Sequence, residues 1–401
     1  MKGKKTNSKK FVLIFAALLS AFGPFMTDLY LPAFPEIKNY FATTASLVQL
    51  SLTFGMIGLA GGQLIIGPLS DKYGRRYPLV LSLVVFVVST IVCLFSRTIG
   101  LFILFRLFQG LSAAGGVVIA RSIVVDLYEG KEFSHFFALL SGVQGLAPIV
   151  APVIGGALLE ITNWQGIYTV LLLIGVIILL MSMRFRESLS MEKRVTGSVM
   201  ATFVRFRSTM KNKRFICYVL VLSFAMSVMF AYISASPFIF QVHYNLSPIM
   251  YSYCFACNAF AIMIGNLFVS RFSSGRKALF MAAICLPVVA MAVVVGLVGN
   301  FSIFYVELML LLLLFFVGMI FASSTALALD SERQNTGNAS AILGFSQFLF
   351  AGLVAPLVGI GNVLHTTGYV ILIGSFIVLE LVYQLRVRDK KSVFSTVHLK
   401  E

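Results

Sequence analysis

Residues Gly67–Arg76 read Gly-Pro-Leu-Ser-Asp-Lys-Tyr-Gly-Arg-Arg, a charged turn with two glycines set between two long apolar stretches. Gly74 permits a backbone bend that residues with a Cβ resist. Arg75 and Arg76 hold such a turn at a membrane surface. A related triplet, Gly275-Arg276-Lys277, recurs about halfway further along the 401-residue chain. One hydropathic pattern written twice, with a basic turn in each copy, is the layout of membrane proteins built from internal repeats.

Composition supports that layout. The chain is 59% hydrophobic and only 11% charged. Soluble domains carry about 25% charged residues, so a water-facing surface could not be covered. A hydrocarbon core about 30 Å thick needs about 20 apolar residues per helix. Twelve segments qualify: 11–35, 46–69, 78–96, 99–126, 134–159, 163–184, 214–241, 248–271, 277–299, 302–329, 336–361 and 364–386. The expected fold is all-α and integral to the membrane, with twelve transmembrane helices in two pseudo-symmetric six-helix bundles. The bundles are expected at 1–184 and, with the tail, at 214–401, joined by a basic linker at 185–213.

Orientation follows from the basic residues. Of the 31 lysines and arginines, all but Lys38, Arg97, Arg106 and Arg121 fall at the termini, in the linker or in turns on one side. Both termini are therefore expected to be cytoplasmic, in a multi-pass protein of the bacterial plasma (inner) membrane. The net charge of +16 reflects this asymmetry, with attraction to anionic lipid heads, and is a poor argument for nucleic acid. The first apolar segment follows a basic stretch, as in a signal peptide, but no small-residue cleavage site follows it. It is expected to be a mature helix. Five cysteines, all in or beside apolar segments, argue against a disulfide framework; Cys254 and Cys257 are expected to be small packing residues. The four histidines lie near segment ends or in the tail, so no metal site is expected.

Further repeats connect the halves. Asp126 closes segment 4 as Asp330 closes segment 10. Ala151-Pro152-Val153-Ile154-Gly155 in segment 5 is matched by Ala355-Pro356-Leu357-Val358-Gly359 in segment 11. Small residues at Ala147, Ala151 and Gly155, and at Ala351, Ala355 and Gly359, form ridges that let helices approach closely.

These residues resemble the major facilitator superfamily of secondary transporters. Gly67-x-x-x-Asp71-x-x-Gly74-Arg75-Arg76 resembles its signature between helices 2 and 3. Arg106-x-x-Gln109-Gly110 resembles the second motif of its drug/proton antiporters. Pro148, Ala151, Pro152, Gly155 and Gly156 resemble their antiporter motif, with Ala151 where glycine usually precedes the proline. Thr27-Asp28-Leu29-Tyr30-Leu31-Pro32, with Val124-Val125-Asp126-Leu127-Tyr128, resembles the Bcr/CflA drug-resistance group. The second-half turn departs from the signature, since Phe272 replaces the acid. The resemblance implies a proton-coupled exporter of drug-like small molecules working by alternating access. It also implies a latch in which Asp126 pairs with Arg75 or Arg76, and Asp71 faces the start of segment 11 near Thr336. The alternative is a proton-coupled carrier dedicated to one metabolite, such as an amino acid, sugar or siderophore.

Asp28 and Arg106 are the candidates for proton and substrate coupling. A charge within a membrane segment costs about 2.5–3.5 kcal/mol on insertion scales, and something must offset it. Asp28 lies in the outer part of segment 1 and Arg106 in the outer part of segment 4, so the two are expected to share a depth. Desolvation and a nearby cation pull a carboxylate's proton affinity in opposite directions, which suits a switch. The structural alternatives are an Asp28 satisfied by backbone near Pro24 or Pro32 and an Arg106 that snorkels outward. Glu307 and Glu380 are weaker candidates close to segment ends, and Arg121 is expected to reach the inner surface. Tyr30, Gln49, Gln109, Tyr232, Asn258 and Gln347 are candidates to line a cavity. An enzyme would need clustered catalytic groups and a channel a filter or a symmetric signature; neither is legible. The expected partners are a small-molecule substrate and the lipid bilayer, with the proton as coupling ion, no cofactor, and a monomeric state.

Overall fold

The computed structural model describes residues 7–194, 209–333 and 336–397. Part of the expected linker, 195–208, lies outside them. Among the described residues twelve helices are long and apolar enough to cross a membrane. They are α1 (Lys9–Asp28), α2 (Ala45–Tyr73), α3 (Arg76–Leu94), α4 (Ile99–Leu127), α5 (Gly130–Leu159) and α6 (Trp164–Arg184). The second set is α7 (Lys213–Pro237), α8 (Pro248–Phe268), α9 (Gly275–Val298), α10 (Ile303–Ser331), α11 (Thr336–Val354) and α12 (Val363–Val397). The protein is thus an all-helical, twelve-span membrane protein.

Loop residues set many of the helix starts. Thr44, Thr98, Asn163 and Ser274 each accept a hydrogen bond from a backbone N–H in the first turn that follows. Such caps stabilise a helix by about 1 kcal/mol each.

Two segments break earlier than their hydropathy suggests. Segment 1 stops as an α-helix at Asp28 and continues as a 3₁₀ turn, Leu31–Ala33, and a short helix, Phe34–Tyr40. Pro32 and Pro35 supply no N–H to carry the first helix through. Segment 11 stops at Val354, before Ala355-Pro356, and a 3₁₀ turn spans Leu357–Gly359. The matching Ala151-Pro152 lies inside α5, which runs on to Leu159.

The residues group into two compact units. One comprises Met1–Phe203 with Phe240–Ala256, the other Val204–Ile239 with Cys257–Glu401. The stretch Phe240–Ala256, which includes the beginning of α8, groups with the first unit. There Gln241 Nε2 donates to the Pro32 carbonyl at 2.9 Å.

Packing within each unit depends on glycine. Lipid gives helices no hydrophobic reason to associate, so close backbone contact must hold them. In the first unit, a Cβ on Gly58 would strike the Leu107 carbonyl, one on Gly62 the Leu111 carbonyl, and one on Gly110 the Gly55 carbonyl. Helices α2 and α4 therefore touch backbone to backbone. In the second unit, Gly265 meets the Phe315 carbonyl and Gly318 the Ile262 carbonyl, which joins α8 to α10 in the same manner.

Candidate functional site

Helix α4 carries Arg106, Gln109 and Gly110 on one face, because residues three and four apart are neighbours on a helix. Gly110 brings that face against α2. The Arg106 side chain is consequently trapped inside the first unit, at 0% exposure. It does not snorkel. Its Nη1 donates to the Met26 carbonyl at 3.1 Å and to Gln109 Oε1. Gln109 Nε2 in turn donates to Thr90 Oγ1 at 2.8 Å. The guanidinium lies 4.2 Å from the centre of the Tyr30 ring. Gly55 makes room for it, since a Cβ there would sit 3.1 Å from Nη2.

Hydrogen bonds to a charged group are worth about 1.5–3 kcal/mol each and a cation–π contact about 0.5–2 kcal/mol; they are set against the several kcal/mol that burying an ion without a counter-ion costs. Among the described residues no carboxylate forms an ion pair with Arg106. Its Nε and Nη2 are buried without a hydrogen-bond partner. A buried, under-satisfied arginine at membrane depth makes this a candidate functional site.

Asp28 is 6% exposed and ends α1. It shares the neighbourhood of Arg106 without pairing to it: the arginine's contact on α1 is the carbonyl of Met26. Tyr30, just beyond the break, is fully buried, and its hydroxyl lies 3.2 Å from Ser51 Oγ on α2. Tyr168, Phe102 and Trp164 extend a wall of aromatic rings from there, with centroids 5.4–6.0 Å apart. The antiporter-like motif of α5 meets the same break. A Cβ on Gly155 would collide with the Leu29 carbonyl, and one on Gly156 with Ser252 Oγ at the start of α8. Ala151 and Pro152 are buried, and Pro148 is half-buried.

The turn after α2 is more elaborate than its sequence suggests. Gly74 has φ +90°, a conformation L-residues with side chains avoid. Arg75 is turned inward, at 6% exposure. Its Nε and Nη2 grip Asp126 at the end of α4 (2.9 and 3.2 Å), and its Nη1 donates to Asp71 and to Ser70 Oγ. Ser70 Oγ itself donates to the Gly67 carbonyl at 2.8 Å. Burial works against the Arg75 charge, but the hydrogen bonds it donates to Asp126 and Asp71 outweigh it and raise its pKa. Arg76 points away and donates to the Met183 carbonyl at 2.6 Å. The resemblance left open which arginine pairs with Asp126; it is Arg75.

Two participants are absent from the sequence reading. Glu187, just past α6, accepts hydrogen bonds from the backbone N–H groups of Arg75 (2.8 Å) and Arg76 (3.1 Å). Ser188 Oγ donates to Asp126 Oδ2 at 2.9 Å. The opening of the linker is thus docked onto the turn, anchored by the buried side chains of Phe185 and Leu189.

In the second unit the polar candidates also converge. Asn258 Nδ2 donates to Tyr232 Oη (3.0 Å) and to both carboxylate oxygens of Glu307 (2.9 and 3.0 Å). Glu307 is half-buried and belongs to this cluster rather than to a helix end open to water. Glu380 is exposed and accepts from its neighbour Gln384. Gln49 is buried on α2, Gln347 is half-buried on α11, and Arg121 reaches Gln144 on α5 at 2.8 Å. Among the described residues no group of three or more His, Cys, Asp or Glu is placed to hold a metal ion.

The model of the Major Facilitator Superfamily matches residues 13–356. The chain belongs to the Major Facilitator Superfamily. Its relatives include the MFS-type transporter YdgK of Bacillus subtilis, 37% identical over 368 residues, or 90% of each chain. The bicyclomycin resistance protein homolog of Haemophilus influenzae is 27% identical over 96% of this chain and 99% of its own. Multidrug resistance protein D of Escherichia coli is 24% identical, covering 86% and 88%. These names agree with the resemblance to the Bcr/CflA drug-resistance group. The xylose transporter XylE from E. coli, in a partially occluded inward-open conformation, superposes with a TM-score of 0.72 at 12% identity, over 94% of this chain and 97% of that one. The fold is that of the superfamily. The protein is therefore a membrane transporter acting on small molecules, not an enzyme.

Proposed function

We propose that this transporter exports drug-like small molecules across the bacterial plasma membrane in exchange for protons, by alternating access. The observation that carries this reading is Arg106: fully buried, with no carboxylate ion-paired to it among the described residues, its Nε and Nη2 without a hydrogen-bond partner, beside the break where α1 ends at Asp28. Relatives named for bicyclomycin and multidrug resistance support the substrate class. The basic residues concentrated on one side support cytoplasmic termini.

In this scheme Asp28 takes a proton from outside as substrate leaves, and gives it up inside as substrate binds. Arg106 favours the ionised carboxylate and offers its spare N–H groups to an acceptor on the substrate. Energetics limit the cargo. A membrane potential of 100 mV contributes about 2.3 kcal/mol per charge, and one pH unit about 1.36 kcal/mol. One proton exchanged for a neutral solute thus sustains a gradient of roughly a few hundredfold. A monovalent cation would cancel the electrical part and leave about tenfold. Neutral or zwitterionic substrates benefit most.

The test is efflux from a pump-deficient bacterium, and from proteoliposomes under an imposed pH gradient, with wild type and Asp28→Asn. Wild type is expected to raise tolerance to at least one amphiphilic compound, and a protonophore to abolish the gain. The Asp28→Asn protein should still exchange substrate across the bilayer but should not concentrate it. Uphill efflux by that variant at the wild-type rate would reject the scheme. Unchanged tolerance to every compound would favour a carrier dedicated to one metabolite.

A further inference from the structure

Within the second unit, a cavity of about 220 Å³ opens where α7 and α9 begin and α12 nears its end. Its wall includes Tyr218, Arg276, Lys277, Phe280, Leu385 and Arg386. We propose that it binds the headgroup of an anionic phospholipid. The inference rests on the orientation given above, which places this end at the inner leaflet, and on nothing about proton coupling.

Charge is the first argument. Arg276 and Lys277 occupy the first turn of α9, whose exposed N–H groups already favour an anion. Ser274 caps that turn, its hydroxyl accepting from the Lys277 N–H at 3.3 Å. Arg386 brings a third cation from α12. Like charges in a concave, low-dielectric wall focus their field on the space between them. The third cation is also held in place: its guanidinium sits 3.9 Å from the Phe280 ring centre. Arg214 lies 6.0 Å from the Tyr218 ring centre at the edge of the same cluster.

The second argument distinguishes a lipid from a free anion. Phe280, Tyr218 and Leu385 give the cavity an apolar floor, which a bare phosphate would not use. Beyond the cations, exposed apolar side chains continue toward the middle of the membrane. Ile284 and Val288 follow Phe280 at one-turn steps along α9, and Tyr383 and Phe376 stand on α12. Helices α9 and α12 pack together, so the two apolar stripes run from one basic patch. A headgroup with acyl chains beneath it matches that sequence of surfaces.

The experiment uses the full chain in detergent, with lipid binding read by native mass spectrometry. The probes are phosphatidylglycerol, phosphatidylcholine of the same acyl length, and inorganic phosphate. Phosphatidylglycerol is expected to occupy one tight site. The triple variant Arg276→Gln, Lys277→Gln, Arg386→Gln should bind it about a hundredfold more weakly, and each single variant about fivefold. Arg386→Lys should retain binding, as should Arg97→Gln, which lies in the first unit. All three replaced side chains are exposed, and unfolding midpoints without lipid verify that the variants fold. Equal affinity for phosphatidylcholine, or wild-type affinity in the triple variant, would overturn the proposal. Displacement of phosphatidylglycerol by equimolar phosphate would also overturn it, in favour of a free-anion site. Transport is not the readout, so failure here leaves the Asp28 scheme standing, and the reverse.

Discussion

Gly74-Arg75-Arg76 and Gly275-Arg276-Lys277 begin from nearly the same letters and end in different environments. In the first, Arg75 is buried and gripped by Asp126 and Asp71, while Glu187 closes over the backbone. In the second, Phe272 stands where Asp71 would be, and both basic side chains are exposed. Asp330, the counterpart of Asp126, pairs instead with Arg333 in its own exposed turn. An arginine held by a two-pronged carboxylate out of water fixes geometry. The same charge left at the surface sets which side of the membrane it faces. One ancestral-looking pattern has thus been made into a clasp in one half and a patch in the other.

The sharpest way to break this comparison is to remove the two matched acids in turn. Asp126→Asn takes one of two carboxylates from a buried guanidinium that Asp71 still holds, which costs about 1.5–3 kcal/mol; a marked drop in the unfolding midpoint in detergent is expected, with loss of efflux. Asp330→Asn removes an exposed pair worth about 0.5 kcal/mol or less and should leave both nearly unchanged. Equal shifts would erase the distinction.

The glycines supply a smaller contrast. Gly74→Ala forces a side chain into positive φ, costing about 1–2 kcal/mol, and places its Cβ 2.5 Å from Glu187 Oε2. Gly275→Ala meets nothing nearer than Leu327 Cγ at 4.0 Å, so it should be neutral or stabilising by about 0.5–1 kcal/mol. Chemical denaturation of the two variants side by side reads the difference. The smallest effect expected is that of Glu187→Gln, which keeps the shape but loses the charge in three backbone hydrogen bonds, about 1 kcal/mol. If its midpoint equals wild type, the docked linker adds nothing to the first turn.

Much of this architecture was legible in advance because lipid admits so few solutions: any spanning segment must satisfy its own backbone. The twelve segments and the paired turns follow from that restriction. The breaks do not follow so directly. Ala151-Pro152 and Ala355-Pro356 are the same dipeptide, yet α5 passes through the first and α11 stops before the second, so tertiary surroundings decide. Pro32 and Pro35 are the local signal for the end of α1, but hydropathy runs smoothly across it and carries segment 1 on to 35. Glu187 could not be foreseen, since nothing local connects it to a turn more than a hundred residues earlier. The separation of Arg106 from any carboxylate was equally hidden, because composition shows that an arginine is present but not what surrounds it. Gly55, Gly58 and Gly62 were a missed signal: their spacing along segment 2 is that of a helix face made for close approach.

The seating of Gly155 on the Leu29 carbonyl has a mechanical consequence. With no side chain between them, α5 has no slack at that point, and tilting it must carry the adjoining peptide with it. That carbonyl belongs to Leu29, the residue after Asp28. The acid's position is therefore geared to the angle of a neighbouring helix, and whatever rocks that helix also changes what the carboxylate faces.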